Sequence, residues 1–140
     1  VPDDYASSLL PPVLRKFSAT YPKVEIQVTG LPSHALAPLV SENKVDLACM
    51  TRVRGVRGER VAYRTSYESP SLLGLFSMVE AGLAVAPIAR CAMPEHFVEL
   101  GRAHGLPPLP PLEIVLARSA GSRRPECDFL AQQILEELRT

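Results

Sequence analysis

The residues best placed to do chemistry are serines and threonines at expected helix starts. Ser7 and Ser8 precede an apolar stripe, Thr29 and Ser33 flank a second helix, and Ser66, Ser69 and Ser71 surround a third. A helix start offers free backbone N–H groups, a hydroxyl and the positive end of the helix dipole. Several such starts converging on one cleft would hold a small anion such as a carboxylate. A single Ser or Thr there is an ordinary cap. Convergence, not composition, makes a site.

Other chemistry finds little footing. There is no Gly-x-Ser-x-Gly elbow and no Gly-x-Gly-x-x-Gly loop. His34, His96 and His104 are scattered, and no His stands at a metal-ligand spacing from a Cys. Carboxylate pairs such as Asp3-Asp4 and Glu136-Glu137 read as a helix-start charge bias and a solvated face. No catalytic, metal or cofactor site is therefore expected. The three cysteines, Cys49, Cys91 and Cys127, form no CxxC pair. They read as small hydrophobes in a reducing cytoplasm, with nothing to single out a redox sensor.

Composition excludes further classes. Fifteen basic and fifteen acidic residues leave a formal net charge of zero. No cationic surplus is available for DNA phosphates. No apolar run is long enough for a membrane-spanning helix. The chain opens at Val1 without Met or a signal-peptide pattern. It reads as a piece of a longer protein.

The elements that must carry the hydroxyls follow from periodicity. Leu9, Leu10, Val13, Leu14 and Phe17 make one buried helical stripe. That helix begins at Pro11, or begins at Asp4 or Ser7 and bends at the prolines. Tyr21-Pro22 ends it. Val24-Glu25-Ile26-Gln27-Val28 alternates strictly and predicts a strand. Ser33 is expected to cap a helix carrying Leu36, Leu39 and Val40, which stops near Asn43. Val45 to Met50 predicts a buried strand. Thr51 to Arg60, with four Arg and two Gly, has neither period and reads as a linker. Val61-Ala62-Tyr63 predicts a strand. Ser69 as cap and Pro70 as first residue predict a helix with Leu72, Leu75, Phe76 and Val79 inward and Gly82 as its stop. Strands are expected at Leu83–Ile88 and Leu112–Ala117, and a last helix at Pro125–Leu138. Alternating strands and helices predict an α/β protein.

Several segments resemble one family. Pro2-Asp3-Asp4-Tyr5-Ala6, Leu9-Leu10-Pro11, Phe17 and Tyr21-Pro22-x-Val24 are similar to the opening of the effector-binding domain of LysR-type transcriptional regulators. Leu36 followed by Val45-Asp46-Leu47-Ala48 resembles the family's next helix and strand. Ser69-Pro70-Ser71-x-x-Gly74-Leu75 through Met78-Val79 and Ala81-Gly82-Leu83-Ala84-Val85 resembles its helix-to-strand turn. Gly105-Leu106-Pro107-x-Leu109-Pro110 is similar to a motif of a subset of the family that also opens with Pro-Asp-Asp-Tyr-Ala, and four degenerate motifs in the right order are together fairly specific.

The resemblance implies a type 2 periplasmic-binding-protein-like α/β fold, with two lobes, a ligand cleft and a shortened second lobe. Residues 1–50 and 112–140 would form lobe one, 51–60 a junction and 61–111 lobe two. It implies a cytoplasmic regulator that senses a small-molecule effector and assembles as a homodimer or homotetramer. DNA would be bound only by an upstream winged helix-turn-helix. The effector-binding residues carried over are Ser7, Ser8, Thr29, Ser33, Thr51, Ser69 and Ser71. Such domains are about half as long again, and the shortfall falls between Ala48 and Tyr63. A solute-binding protein of the same fold is the alternative, and a small α/β enzyme a weaker one.

Overall fold

The computed structural model describes residues 1–53 and 62–139. Five α-helices, two short 3-10 helices (Arg90–Ala92 and Arg102–His104) and two strands are present among them: α1 (Asp3–Ser8), α2 (Leu10–Thr20), α3 (Ser33–Ser41), β1 (Leu47–Val53), α4 (Leu72–Glu80), β2 (Leu112–Arg118) and α5 (Pro125–Arg139). The chain divides into two units, Val1–Arg52 with Glu113–Thr140, and Val53–Leu112.

The first unit holds the core. Helix α1 bends into α2 at Leu9, which keeps helical dihedrals and donates its N–H to Tyr5 O at 2.8 Å. Pro11 and Pro12 fall in the first turn of α2, where a missing N–H costs no helical bond. The bend at the prolines is thus the alternative that forms. Leu10, Val13 and Phe17 make the buried face of α2, which packs on α5. Phe17 meets Tyr21 at 5.4 Å and Phe129 at 6.2 Å between ring centroids. Leu36 of α3, Ala48 and Cys49 of β1, and Cys127 and Ile134 of α5 complete this core. Burying a side chain such as Phe17 or Leu36 contributes about 1.5–3 kcal/mol.

Strands β1 and β2 form a two-stranded sheet. Arg52 Nε on β1 reaches Glu113 Oε2 on β2 at 2.6 Å. The start of β1 is held by a polar joint with the turn after β2. Ser119 N–H donates to Asp46 O at 3.0 Å, and its hydroxyl faces Val40 O and Val45 O. Ser122 Oγ donates to Asp46 Oδ1 at 2.5 Å, and Gly121 N–H to Asn43 Oδ1 at 3.0 Å. Asn43 takes φ 55°, a left-handed turn that Asn tolerates, so the expected helix stop forms there.

The second unit has no buried residue among those described. Leu72, Leu75, Phe76 and Val79 of α4 are half-buried, and Leu73 is 76% exposed. Phe76 stacks edge-on against Phe97 at 5.5 Å, and His96 Nε2 lies 2.6 Å from Glu80 Oε2. Gly82, at φ 72°, ends the helix as expected.

Several expectations need correction. Val24–Val28 is not a strand, because no neighbouring chain among the described residues completes its ladder. Leu83–Ile88 lacks a partner for the same reason, and Pro87 offers no N–H. Ala62 and Tyr63 are exposed and irregular, while Val61 lies outside the described residues. Strand β1 runs Leu47–Val53, past the expected end at Met50, because pairing with β2 carries it on. The rest of the expected linker, 54–60, also lies outside the described residues.

Candidate functional site

Ser33 and Thr51 come together at the start of α3. Pro32, in extended conformation at φ −66°, is the residue flanking that helix. Ser33 is therefore its first helical residue rather than its cap. Its side chain makes no bond to its own helix and reaches across to β1. Thr51 N–H donates to Ser33 Oγ at 2.8 Å, and the two hydroxyl oxygens lie 3.1 Å apart. Both residues are half-buried.

The hydrogen-bond arithmetic leaves capacity for a ligand. Two hydroxyls carry two protons, and one is spent in the bond between them. The other remains free to donate. The first N–H groups of α3 and the positive end of its dipole lie at the same place. The first turn of α3 has no acidic residue to neutralise that end. A small carboxylate meets donors and a favourable field at this corner.

The loop Thr29–Pro32 is tied to the beginning of the chain. Val1 N donates to Thr29 O at 2.9 Å, and Leu31 N–H donates to Val1 O at 3.2 Å. A Cβ at Gly30 would stand 2.9 Å from Asp3 Oδ1, so only glycine fits there without moving Asp3. Thr29 itself is exposed.

The other expected contacts are placed differently. Ser8 Oγ donates to Asp4 O at 3.0 Å and Ser7 Oγ to Asp3 O at 3.5 Å. Both hydroxyls turn back onto α1, so neither caps α2. Ser69 and Ser71 meet at the start of α4 in the second unit. The cap there is Ser71, whose Oγ accepts from Gly74 N–H at 3.0 Å, and not Ser69 as expected. Ser69 Oγ instead accepts from Ser71 N–H at 3.2 Å and lies 3.1 Å from Ser71 O.

The thiols of the first unit are poorly suited to reaction. Burial pushes the Cys49 thiol above its ordinary range. Burial, with Asp46 nearby, does the same at Cys127. A thiol kept protonated is a weak nucleophile. No group of His, Cys, Asp or Glu among the described residues could hold a metal ion, and no described helix is long and apolar enough to cross a membrane.

Sequence reading passed over the residues that position Thr51. Ser119 and Ser122 are buried at 3% and 8% exposure and anchor the beginning of β1 through Asp46. The Gly121-Ser122 turn is legible in the sequence. Its partner Asp46 lies 76 positions away from Ser122, and no local pattern announces it.

Residues 1–55 match the family model of the LysR substrate binding domain. The chain is also 26% identical to the HTH-type transcriptional regulator DgdR of Burkholderia cepacia, over 82% of this chain and 55% of that protein. The chain thus spans about half the length of the curated relative it matches. The aligned stretch of 161 positions is longer than the chain's own 140 residues, so the relative has residues there without a counterpart here. That relative is a transcriptional regulator, and the two matches together point away from an enzyme. The stretch that holds the Ser33–Thr51 corner is therefore similar to a LysR-type effector-binding domain.

Proposed function

We propose that this chain is the regulatory part of a LysR-type DNA-binding transcription factor, and that it senses a small anionic effector. The observation that carries the reading is the Ser33–Thr51 corner, within the stretch that matches the family model. An unspent hydroxyl proton and the start of α3 are suited to one carboxylate group. Ser7, Ser8, Thr29, Ser69 and Ser71 are secondary candidates, since the hydroxyls of Ser7, Ser8, Ser69 and Ser71 already face backbone groups.

The full fold proposed is that of type 2 periplasmic-binding proteins. Residues 1–50 and 112–140 are one α/β lobe and 61–111 a shortened second lobe. DNA contact falls to a winged helix-turn-helix elsewhere in the full-length protein, since zero net charge leaves this chain no surplus for phosphates. Regulation requires that the effector bind one arrangement of a homodimer or homotetramer better than another. The protein is proposed to work in the cytoplasm, where its operator is.

Calorimetric titration of the chain with a panel of small mono- and dicarboxylates tests the reading. Binding that weakens tenfold or more in Ser33→Ala or Thr51→Val supports it. A carboxylate that binds equally well to both variants rules out this corner as the site.

A further inference from the structure

The β1–β2 ladder is fastened at its two ends by different chemistry. Asp46 pairs with Ser119 at one end, and Arg52 with Glu113 at the other. Six residues forward along β1 are six residues back along β2. The strands therefore run antiparallel, and Arg52 stands opposite Glu113.

The first end is held by buried hydrogen bonds. Ser119 N–H donates to Asp46 O at 3.0 Å and Ser122 Oγ to Asp46 Oδ1 at 2.5 Å, and both serines are buried. At the second end, Arg52 Nε meets Glu113 Oε2 at 2.6 Å, with 68% of the arginine side chain and 33% of the glutamate side chain exposed. The bond to Glu113, and its charge, raise the Arg52 guanidinium above its ordinary range. Opposite charges paired across two strands favour the pairing. An exposed pair is screened by salt, and buried bonds are screened far less. One end of the ladder is thus fixed, while solution conditions can loosen the other.

Thr51 lies at the end that can loosen, one residue before Arg52. Successive side chains on a strand leave opposite faces. The Thr51 hydroxyl meets Ser33, while Arg52 turns to Glu113. The ion pair therefore leaves the corner free for a ligand and fixes the backbone that carries it. The Thr51 N–H bond to Ser33 Oγ, at 2.8 Å, lasts only while this end of β1 keeps its place.

We propose that Arg52 and Glu113 are positioning residues for the Ser33–Thr51 corner, an ionic latch that closes the far end of the β1–β2 ladder and holds Thr51 against Ser33. The latch takes its functional meaning from the effector reading of this corner given above. With the latch closed, both hydroxyls are in place before a small anion arrives. With it open, the anion binds only the fraction of molecules in which the corner is formed, and apparent affinity falls by that fraction. Higher ionic strength weakens the corner through the latch as well as by screening the anion.

Residue-resolved amide hydrogen exchange on the whole chain tests the latch without any ligand, so its result is separate from that of the carboxylate titration. Arg52→Gln and Glu113→Gln are each expected to speed exchange at Thr51 by about threefold, the scale of an exposed ion pair, and to leave Ser119 unchanged. The double variant Arg52→Glu with Glu113→Arg is expected to restore the wild-type rate at Thr51. Sodium chloride at about 1 M, where charges act over only roughly 3 Å, should speed exchange at Thr51 in the wild-type chain and not in Glu113→Gln. Unchanged exchange at Thr51 in both single variants overturns the proposal. So does equal acceleration at Thr51 and Ser119, which would mean that the whole unit is destabilised and no latch exists.

Discussion

Ser33 and Thr51, 18 positions apart, are joined twice: by a backbone N–H to hydroxyl bond of 2.8 Å and by a hydroxyl pair at 3.1 Å. The contact fastens the first turn of α3 to the far half of β1. Removing the acceptor leaves a half-buried N–H unmet. Ser33→Ala is expected to cost about 1–2 kcal/mol in urea unfolding. Thr51→Val keeps the N–H bond and should cost less. A double-mutant cycle should show coupling of roughly 0.5 kcal/mol or more. An additive pair would mean the hydroxyls do not act together.

Phe17 tests the core. It is 2% exposed and faces Tyr21 and Phe129. Phe17→Ala is expected to lose about 3–5 kcal/mol, a large part of a small domain's stability. Circular dichroism should show a lowered midpoint or loss of the cooperative transition. An unchanged midpoint would contradict the α2–α5 packing.

Ser119 tests the polar joint. Its hydroxyl serves the carbonyls of Val40 and Val45, and its N–H serves Asp46. Ser119→Ala keeps the N–H bond and takes the hydroxyl donor from Val45 O, while Val40 O still accepts from Asn43 N–H, at about 1 kcal/mol. Denaturant unfolding gives the value. Ser119→Thr keeps a hydroxyl and should recover part of it unless the added methyl clashes.

Gly74 tests the start of α4 in the second unit. A Cβ there would lie 2.1 Å from Ser69 Oγ and 2.9 Å from Ser69 Cβ. Gly74→Ala must displace Ser69 and its bonds to Ser71. In an ordinary helix this change stabilises by roughly 0.5–1 kcal/mol. Here the helix content measured by circular dichroism should fall, not rise.

The pH dependence of Cys49 has a definite sign. Its thiol is raised above the ordinary value by burial, so the folded state holds the proton more tightly than the unfolded chain. That contribution is complete below the unfolded pKa and is lost as pH rises through the folded one. Stability should therefore decline in the alkaline range. Cys49→Ala should flatten that decline relative to the wild type, as read by denaturant midpoints between neutral and alkaline pH.

Where side chains repeat locally, the sequence was enough. The stripe Leu9, Leu10, Val13, Phe17 faces the core as its spacing predicts, and the C-terminal helix and the strand at Leu112 form where expected. Asn43 and Gly82 stop their helices because few residues accept a left-handed turn. The order of motifs was also sufficient to suggest the family. Tertiary structure decided the rest, since a strand is a relation between two chains. Val24–Val28 carries the alternation of a strand and forms none, because no described residue pairs with it. Hydroxyls behave likewise. Ser7, Ser8, Ser33 and Ser71 look alike in sequence. Only the fold turns the first two onto their own helix, uses Ser71 as a cap, and sends Ser33 across to Thr51. Local spacing fixes which face a residue occupies; what it meets there depends on residues far away in the chain.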